Sequence, residues 1–259
     1  MSKPLFSVIV TTHRRSDLLS RALNSLLKQT FSDFEIILVS DVYDPPTVEV
    51  AQSFLRSSDS LLMNPNLVGP AESRNLGIQL AQGKWVMFLD DDDAYSEEYL
   101  DKLADSINSN VGASVFFTDY IKIKENRSTM EVVEANQCHI GHISVNSLMI
   151  GNFIPNSGII VERYLARQVL FDSNLNSHED WDWLINLSYQ ASFTHLDTIG
   201  PIIYEGVVDS RNQNAHSTNN ASLDYLSIYR KWRSGDANIN QTRLNCLKVM
   251  GLSLPDGVL

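Results

Sequence analysis

Apolar and polar positions along the chain follow two rhythms, and the change from one to the other marks out the elements. Leu5 to Val10 is a nearly unbroken apolar run, the pattern of a strand covered on both faces. From Ser16 the apolar residues return at helical spacing. Leu18, Leu19, Ala22, Leu23, Leu26 and Leu27 share one face, with Ser16 placed to cap it. Phe34 to Val39 is a second strand. Pro45 and Pro46 open a helix through Leu55, because proline fits a first turn. Leu61 to Met63 gives a short third strand, Ala71 to Ala81 a helix that Gly83 is expected to stop, and Lys84 to Leu89 a fourth strand. This alternation predicts a mostly parallel sheet with helices on both faces. Ligands in such sheets bind beyond the carboxyl ends of the strands, where Thr11, Thr12 and His13 lie.

The second half is less regular. The pattern predicts a helix over Glu97 to Ile107, a strand over Ala113 to Tyr120 and a hairpin within 121–133 around Glu125, Asn126 and Arg127. A short strand at Ile159 to Val161 precedes a helix over Glu162 to Gln168, and His178 to Ala191 is a further helix. Phe193 to Leu196 and Pro201 to Glu205 read as two short strands. Val207 to Asn220 reads as a long polar loop, and Leu223 to Trp232 and Thr242 to Met250 as closing helices. One compact unit is expected, since no repeat or linker interrupts the pattern.

Composition narrows the class. The 259 residues are enough for one large α/β domain, and 43% of them are hydrophobic. A formal net charge of -11 disfavours a nucleic-acid binder, which would show a basic face. The two cysteines, Cys138 and Cys246, are far apart and form no CxxC pair, so neither a disulfide framework nor a zinc site is expected. No apolar run of about 18 residues is present to span a bilayer, and a soluble, cytoplasmic protein is expected.

The most pointed chemistry follows the fourth strand, where Asp90, Asp91, Asp92 and Asp93 stand in a row. Four carboxylates delivered into one small volume repel one another, and desolvation adds to the cost. A magnesium or manganese ion would relieve both, and would then hold substrate phosphates. An acidic turn pointing into water is the plain alternative, and the run alone leaves both open.

Several separated segments carry a resemblance. SVIVTTH (7–13), LSRALNSLLKQTF (19–31), FEIILVSD (34–41), NLVGPAESRNLG (66–77) and GKWVMFLDDDD (83–93) occur in that order, followed by GIIV (158–161), FD (171–172) and HEDWDWL (178–184). Together they resemble family 2 glycosyltransferases with the GT-A fold over roughly the first 190 residues. The resemblance implies a single Rossmann-like nucleotide-binding unit with a smaller mixed region on the acceptor side. Residues 1–120 would form the nucleotide-sugar half, 121–232 the acceptor half and 233–259 a helical tail. It implies sugar transfer, inverting, from a nucleotide-sugar to a hydroxyl of a saccharide or glycolipid. UDP-sugar is the expected donor, and bacterial surface polysaccharide synthesis the expected setting. Transient docking at the inner face of the membrane would follow from a glycolipid acceptor.

The same resemblance assigns roles. Asp90, Asp91 and Asp92 correspond to the DXD motif, with Asp92 as ligand to Mn2+ or Mg2+ and Asp90 and Asp91 toward the donor. Arg74 would meet a phosphate or base edge. Its plain reading is a solvated helix arginine beside Glu72, and Asn75 would cap local backbone. Asp180 is the expected catalytic base, with Glu179 and Asp182 as rivals and a capping role as the alternative. Trp181 and Trp183 are expected in the core rather than on a sugar. His216 would reach the metal or diphosphate from a loop that also holds Arg211. The family's acidic pair after the second strand is Ser40-Asp41 here, so Asp41 is expected to take the base contact. Where the family has tyrosine and asparagine, this chain has His13, expected near the base, and Arg14, expected at the surface. A nucleotidyltransferase would carry a glycine-rich loop after the first strand, which is lacking, and a non-catalytic binding module is the remaining alternative.

Overall fold

A computed structural model of the chain describes residues 3–64, 69–175, 177–207 and 218–255. The first half is the predicted βα alternation. Strands β1 (Phe6–Thr12), β2 (Phe34–Ser40), β3 (Ser60–Met63) and β4 (Trp85–Asp90) run parallel to one another. Helices α1 (Ser16–Leu27), α2 (Pro45–Phe54) and α3 (Gly69–Leu80) connect them. Successive side chains of β1 and β2 enter opposite cores, as a strand period of two requires. Val8, Val10, Ile36 and Leu38 pack under α1 and α4 (Tyr99–Ser109). Ile9, Ile37 and Val39 pack under α3 and α6 (Glu179–Gln190).

The sheet then continues through mixed pairings. The later strands are β5 (Ala94–Tyr95), β6 (Val115–Asn126), β7 (Glu131–Cys138), β8 (Ile159–Glu162) and β9 (Phe193–Gly206). Their order with the first four is β3-β2-β1-β4-β8-β6-β9-β5, with β7 paired to β6. β8 lies antiparallel to both β4 and β6, which turns β6 parallel to β4, and β9 parallel to β6. After β8 comes α5 (Arg163–Gln168), and α7 (Thr218–Lys231) and α8 (Ala237–Val249) close the chain. Both closing helices are docked: Tyr229 and Leu247 are fully buried, and Arg243 Nε donates to the carbonyl of Met149 at 2.7 Å.

Several local expectations change. The two short strands expected between Phe193 and Glu205 are one strand. Its pairing with β6 slips on either side of Asp119, which pairs with Ile199, and the first slip absorbs Asp197 and Thr198 without breaking the strand. Ser16 does not cap α1: Arg15 holds the cap position, with no side-chain cap bond. α2 is capped by Asp44, whose carboxylate accepts from Thr47 N at 3.2 Å. α8 begins at Ala237, earlier than its apolar residues suggest, because Asp236 accepts from the amides of Asn238 and Ile239. α7 begins at Thr218, inside the segment expected as loop. Gly83 is not a helix stop. A Cβ there would meet the backbone of Phe6 and Ser7 at 2.6 Å, so glycine is required for close approach to β1. Its amide donates to Ser7 Oγ at 2.8 Å and to Glu35 Oε1 at 3.2 Å.

Candidate active site

The parallel strands β1, β2 and β4 end at one edge, and a cleft with a cavity volume of 290 Å³ opens there. Among the described residues, those singled out from the sequence for the donor line it: Thr11, Thr12, His13, Asp41, Arg74, Asp90, Asp91 and Asp92. At the β2 end, His13 Nδ1 and Asp41 Oδ1 are hydrogen-bonded at 2.6 Å. Ser40 turns away: its hydroxyl is buried and bonds the carbonyl of Val42. Arg14 is exposed, as expected, and Arg15 lines the cleft instead.

Three of the four aspartates line the cleft together, and Asp93 does not. Beyond the strand end their side chains diverge toward different donors, with Arg15 reaching both Asp91 and Asp92. Asp91 turns to β1, accepting from Thr12 Oγ1 at 2.8 Å and from Arg15 at 3.2 Å. Burial pushes its carboxyl up to about 6, with Arg15 opposing the shift. Asp93 turns inward, accepting from Ser157 Oγ at 2.9 Å and from the amide of Tyr204 at 3.2 Å. Burial raises its carboxyl well above the usual range. Asp90 and Asp92 remain open to the cleft, their side chains 36% and 26% exposed. Asp92 Oδ2 accepts from Arg127 at 3.1 Å, and its carbonyl accepts from Arg21 at 2.7 Å. Two open carboxylates offer hard oxygen donors, and this set fits Mg2+ or Mn2+, which take one or two protein carboxylates together with phosphate oxygens. Among the described residues no group of three or more His, Cys, Asp or Glu side chains converges as a ligand cage. His216 and Arg211 lie outside the described residues.

Arg74 joins the two sides of the cleft. It is buried, and its guanidinium donates to Asp90 Oδ1 at 2.9 Å and to Glu179 Oε1 at 2.5 Å. Its partners are therefore in β4 and α6, not the neighbouring Glu72. Burial opposes its charge, yet Asp90, Glu179 and Asp180 together outweigh burial and hold it above the usual arginine range. Asn75 reaches across rather than capping local backbone: it donates to the carbonyl of Phe171 and accepts from the Phe171 amide, both at 2.9 Å.

Asp180 stands next to Glu179 in the first turn of α6, and Asn152 Nδ2 donates to its Oδ2 at 2.9 Å. Its carboxyl is raised above the usual range, first by the protein atoms around it and next by the charge of Glu179, although it keeps some contact with solvent. Asp182 is occupied elsewhere, bonded to Lys231 and Trp232. Trp181 and Trp183 are fully buried and donate to the carbonyls of Leu148 and Val169, both at 2.6 Å, so they are core.

Sequence reasoning missed Arg15, Arg21, Arg127, Ser73 and Asn152. Arg15 opens α1 directly after β1, so the strand-end rule that found His13 reaches it too. Arg127 follows β6, 35 residues from Asp92, and no local pattern announces that meeting.

Comparison with known proteins adds independent findings. The sequence matches glycosyl transferase family 2 over residues 7–158. It is 29% identical over 228 residues to an uncharacterized glycosyltransferase of Haemophilus influenzae, covering 86% of this chain and 76% of that protein. It is also 29% identical to the GalNAc(5)-diNAcBac-PP-undecaprenol beta-1,3-glucosyltransferase of Campylobacter jejuni, over 73% of this chain and 62% of that enzyme. Among solved structures it resembles S. aureus TarS 1-349 in complex with UDP-GlcNAc. That match has a TM-score of 0.70 at 20% identity and covers 97% of this chain and 74% of the other. That likeness shows a shared GT-A fold.

Proposed function

Because the chain belongs to glycosyl transferase family 2, we propose that it transfers a sugar from a UDP-sugar to a hydroxyl of a saccharide or glycolipid, with inversion. One observation carries this reading: Arg74 ties Asp90 on the donor wall to Glu179, which lines the cleft and directly precedes Asp180 in the first turn of α6. In this reading residues 1–120 hold the donor, 121–232 the acceptor, and 233–259 form the helical tail.

His13 and Asp41 face the base, Thr11 and Thr12 line the floor, and Asp90 and Asp91 shape the middle of the donor site. Asp92, with Asp90 beside it, would hold Mn2+ or Mg2+, and His216 is proposed to join it. When bound, that ion supplies positive charge against the diphosphate. Asp180 takes the proton from the acceptor hydroxyl as its oxygen bonds the anomeric carbon. The bond from that carbon to the phosphate oxygen breaks, and the nucleoside diphosphate leaves with the electron pair. A carboxyl held above its ordinary range is a stronger base once ionised, which suits this role. Asn152 holds one oxygen of Asp180 in place. Arg74 stays charged and engages Glu179 in an ion pair.

The undecaprenol-linked substrate in the name of the Campylobacter relative supports a glycolipid acceptor and docking at the inner face of the membrane. No helix among the described residues is long and apolar enough to cross a bilayer. The test is incubation with UDP-sugars, manganese and lipid-linked or free saccharides, following the released nucleotide. Free UDP with a glycosylated product is expected. Release of pyrophosphate, or no turnover with any donor, would overturn the reading.

A further inference from the structure

Ser73 lies in α3 at 2% exposure, and its Oγ has no hydrogen-bond partner among the described residues. That is unusual for a helical serine, which can return its hydroxyl to the carbonyl one turn back. Ser20, Ser53, Ser109 and Ser227 all do so here, bonding the carbonyls of Ser16, Glu49, Asp105 and Leu223. A buried hydroxyl left unpaired forfeits the water it would otherwise bind, so its retention calls for a partner from outside. Ser73 also lines the cleft, next to Pro70 and Arg74 in the helix.

Its position is fixed by a close contact one turn further on. A Cβ on Gly77 would come within 2.4 Å of Ile9 Cγ2, so that face of α3 lies directly on β1. Ser73 shares the helix face with Gly77, and Thr11 shares the strand face with Ile9. Ser73 therefore sits at the level of Thr11 along β1, and both line the cleft. α3 packs on β1 and β2, so this is the side of the cleft that Asp41 lines, across β1 from the aspartates of β4.

We propose that Ser73 is a donor-binding residue whose Oγ hydrogen-bonds the nucleoside portion, base or ribose, of the nucleotide-sugar. This rests on the function proposed above and adds a contact to it. Ser73 then helps decide which nucleoside is accepted, separately from the groups that meet the diphosphate.

The test is Ser73→Ala in the full chain, titrated with UDP, uridine and pyrophosphate by ligand-observed NMR, with melting of the unliganded protein alongside. One lost hydrogen bond of ordinary strength should raise the Kd for UDP about 5-fold. Uridine should weaken by a similar factor and pyrophosphate should not change. The melting temperature without ligand should equal or exceed that of the parent, since no bond within the protein is removed. Unchanged UDP affinity would overturn the proposal, as would weakening confined to pyrophosphate. A lowered melting temperature would also overturn it, by showing that the hydroxyl serves the fold. If the parent protein binds no nucleotide at all, the function reading itself fails, and that result is distinct from a parent that binds UDP as well as the variant does.

Discussion

Arg74 is the residue on which most of the site's charge converges, and it touches both open and buried carboxylates. Replacing it with glutamine leaves Glu179 buried beside an uncharged amide. Arg74→Gln should cost about 3–5 kcal/mol in urea unfolding, the usual result of removing one partner of a buried pair. Asp180→Asn asks a different question. It should lower kcat by about 100-fold or more while the Kd for UDP stays within about 2-fold. Steady-state transfer assays beside nucleotide titration check it, and unchanged turnover would place the base elsewhere. Asp91 carries a pH signature. Its carboxyl is raised from 3.8 to about 6 by burial, so the folded chain holds that proton where the unfolded chain has lost it. Stability from this group is therefore complete below about pH 4 and declines as pH rises through 6, by about 3 kcal/mol in all. Asp91→Asn should flatten that decline in melting curves taken from pH 4 to 7. Much of the donor wall was readable from the sequence, because a strand's carboxyl end is where parallel sheets bind ligands. The directions of the four aspartates were not, since consecutive residues past a strand end turn to whichever donors the rest of the fold supplies.

At the scale of elements, local chemistry explains both what was legible and what was not. The βα units of the first half bury continuous apolar runs, and their rhythm survives in the sequence. β9 carries Gly200 and Pro201 in its middle, residues that ordinarily punctuate a strand. Its continuity comes from the pairing with β6, which lies far away in sequence and leaves no mark nearby. Gly83 shows the same limit: a glycine just after a helix suggests a stop, while the approach of β1 and its bonds to Ser7 and Glu35 decide its role. Gly83→Ala must push backbone apart. It should destabilise the chain by about 1–3 kcal/mol in chemical unfolding, with the helix content of the folded state unchanged.

Across the whole molecule, the antiparallel additions β5, β7 and β8 complete a sheet whose parallel half builds the cleft. A net charge of -11 makes the protein as a whole repel an anionic donor, so the arginines at the cleft must supply the local attraction. UDP at about 100 times its Kd should stabilise the chain by about 2.7 kcal/mol when manganese is present. A calorimetric shift that is equal without the ion would contradict the role given to Asp92. One further consequence comes from the β6–β7 ribbon. Glu131 to Gln137 are exposed along their whole length, so solvent reaches both faces of β7 and no core side chain holds it down. What anchors it is the ladder to β6, the Lys124–Glu134 ion pair across that ladder and, at the turn, Arg127 gripping Asp92 and the Tyr204 carbonyl. Part of the hold on its opening is thus electrostatic and comes from a cleft that β7 itself does not line. In deuterium labelling followed by mass spectrometry, Arg127→Met should hasten uptake through β7 while peptides of β8 keep their protection.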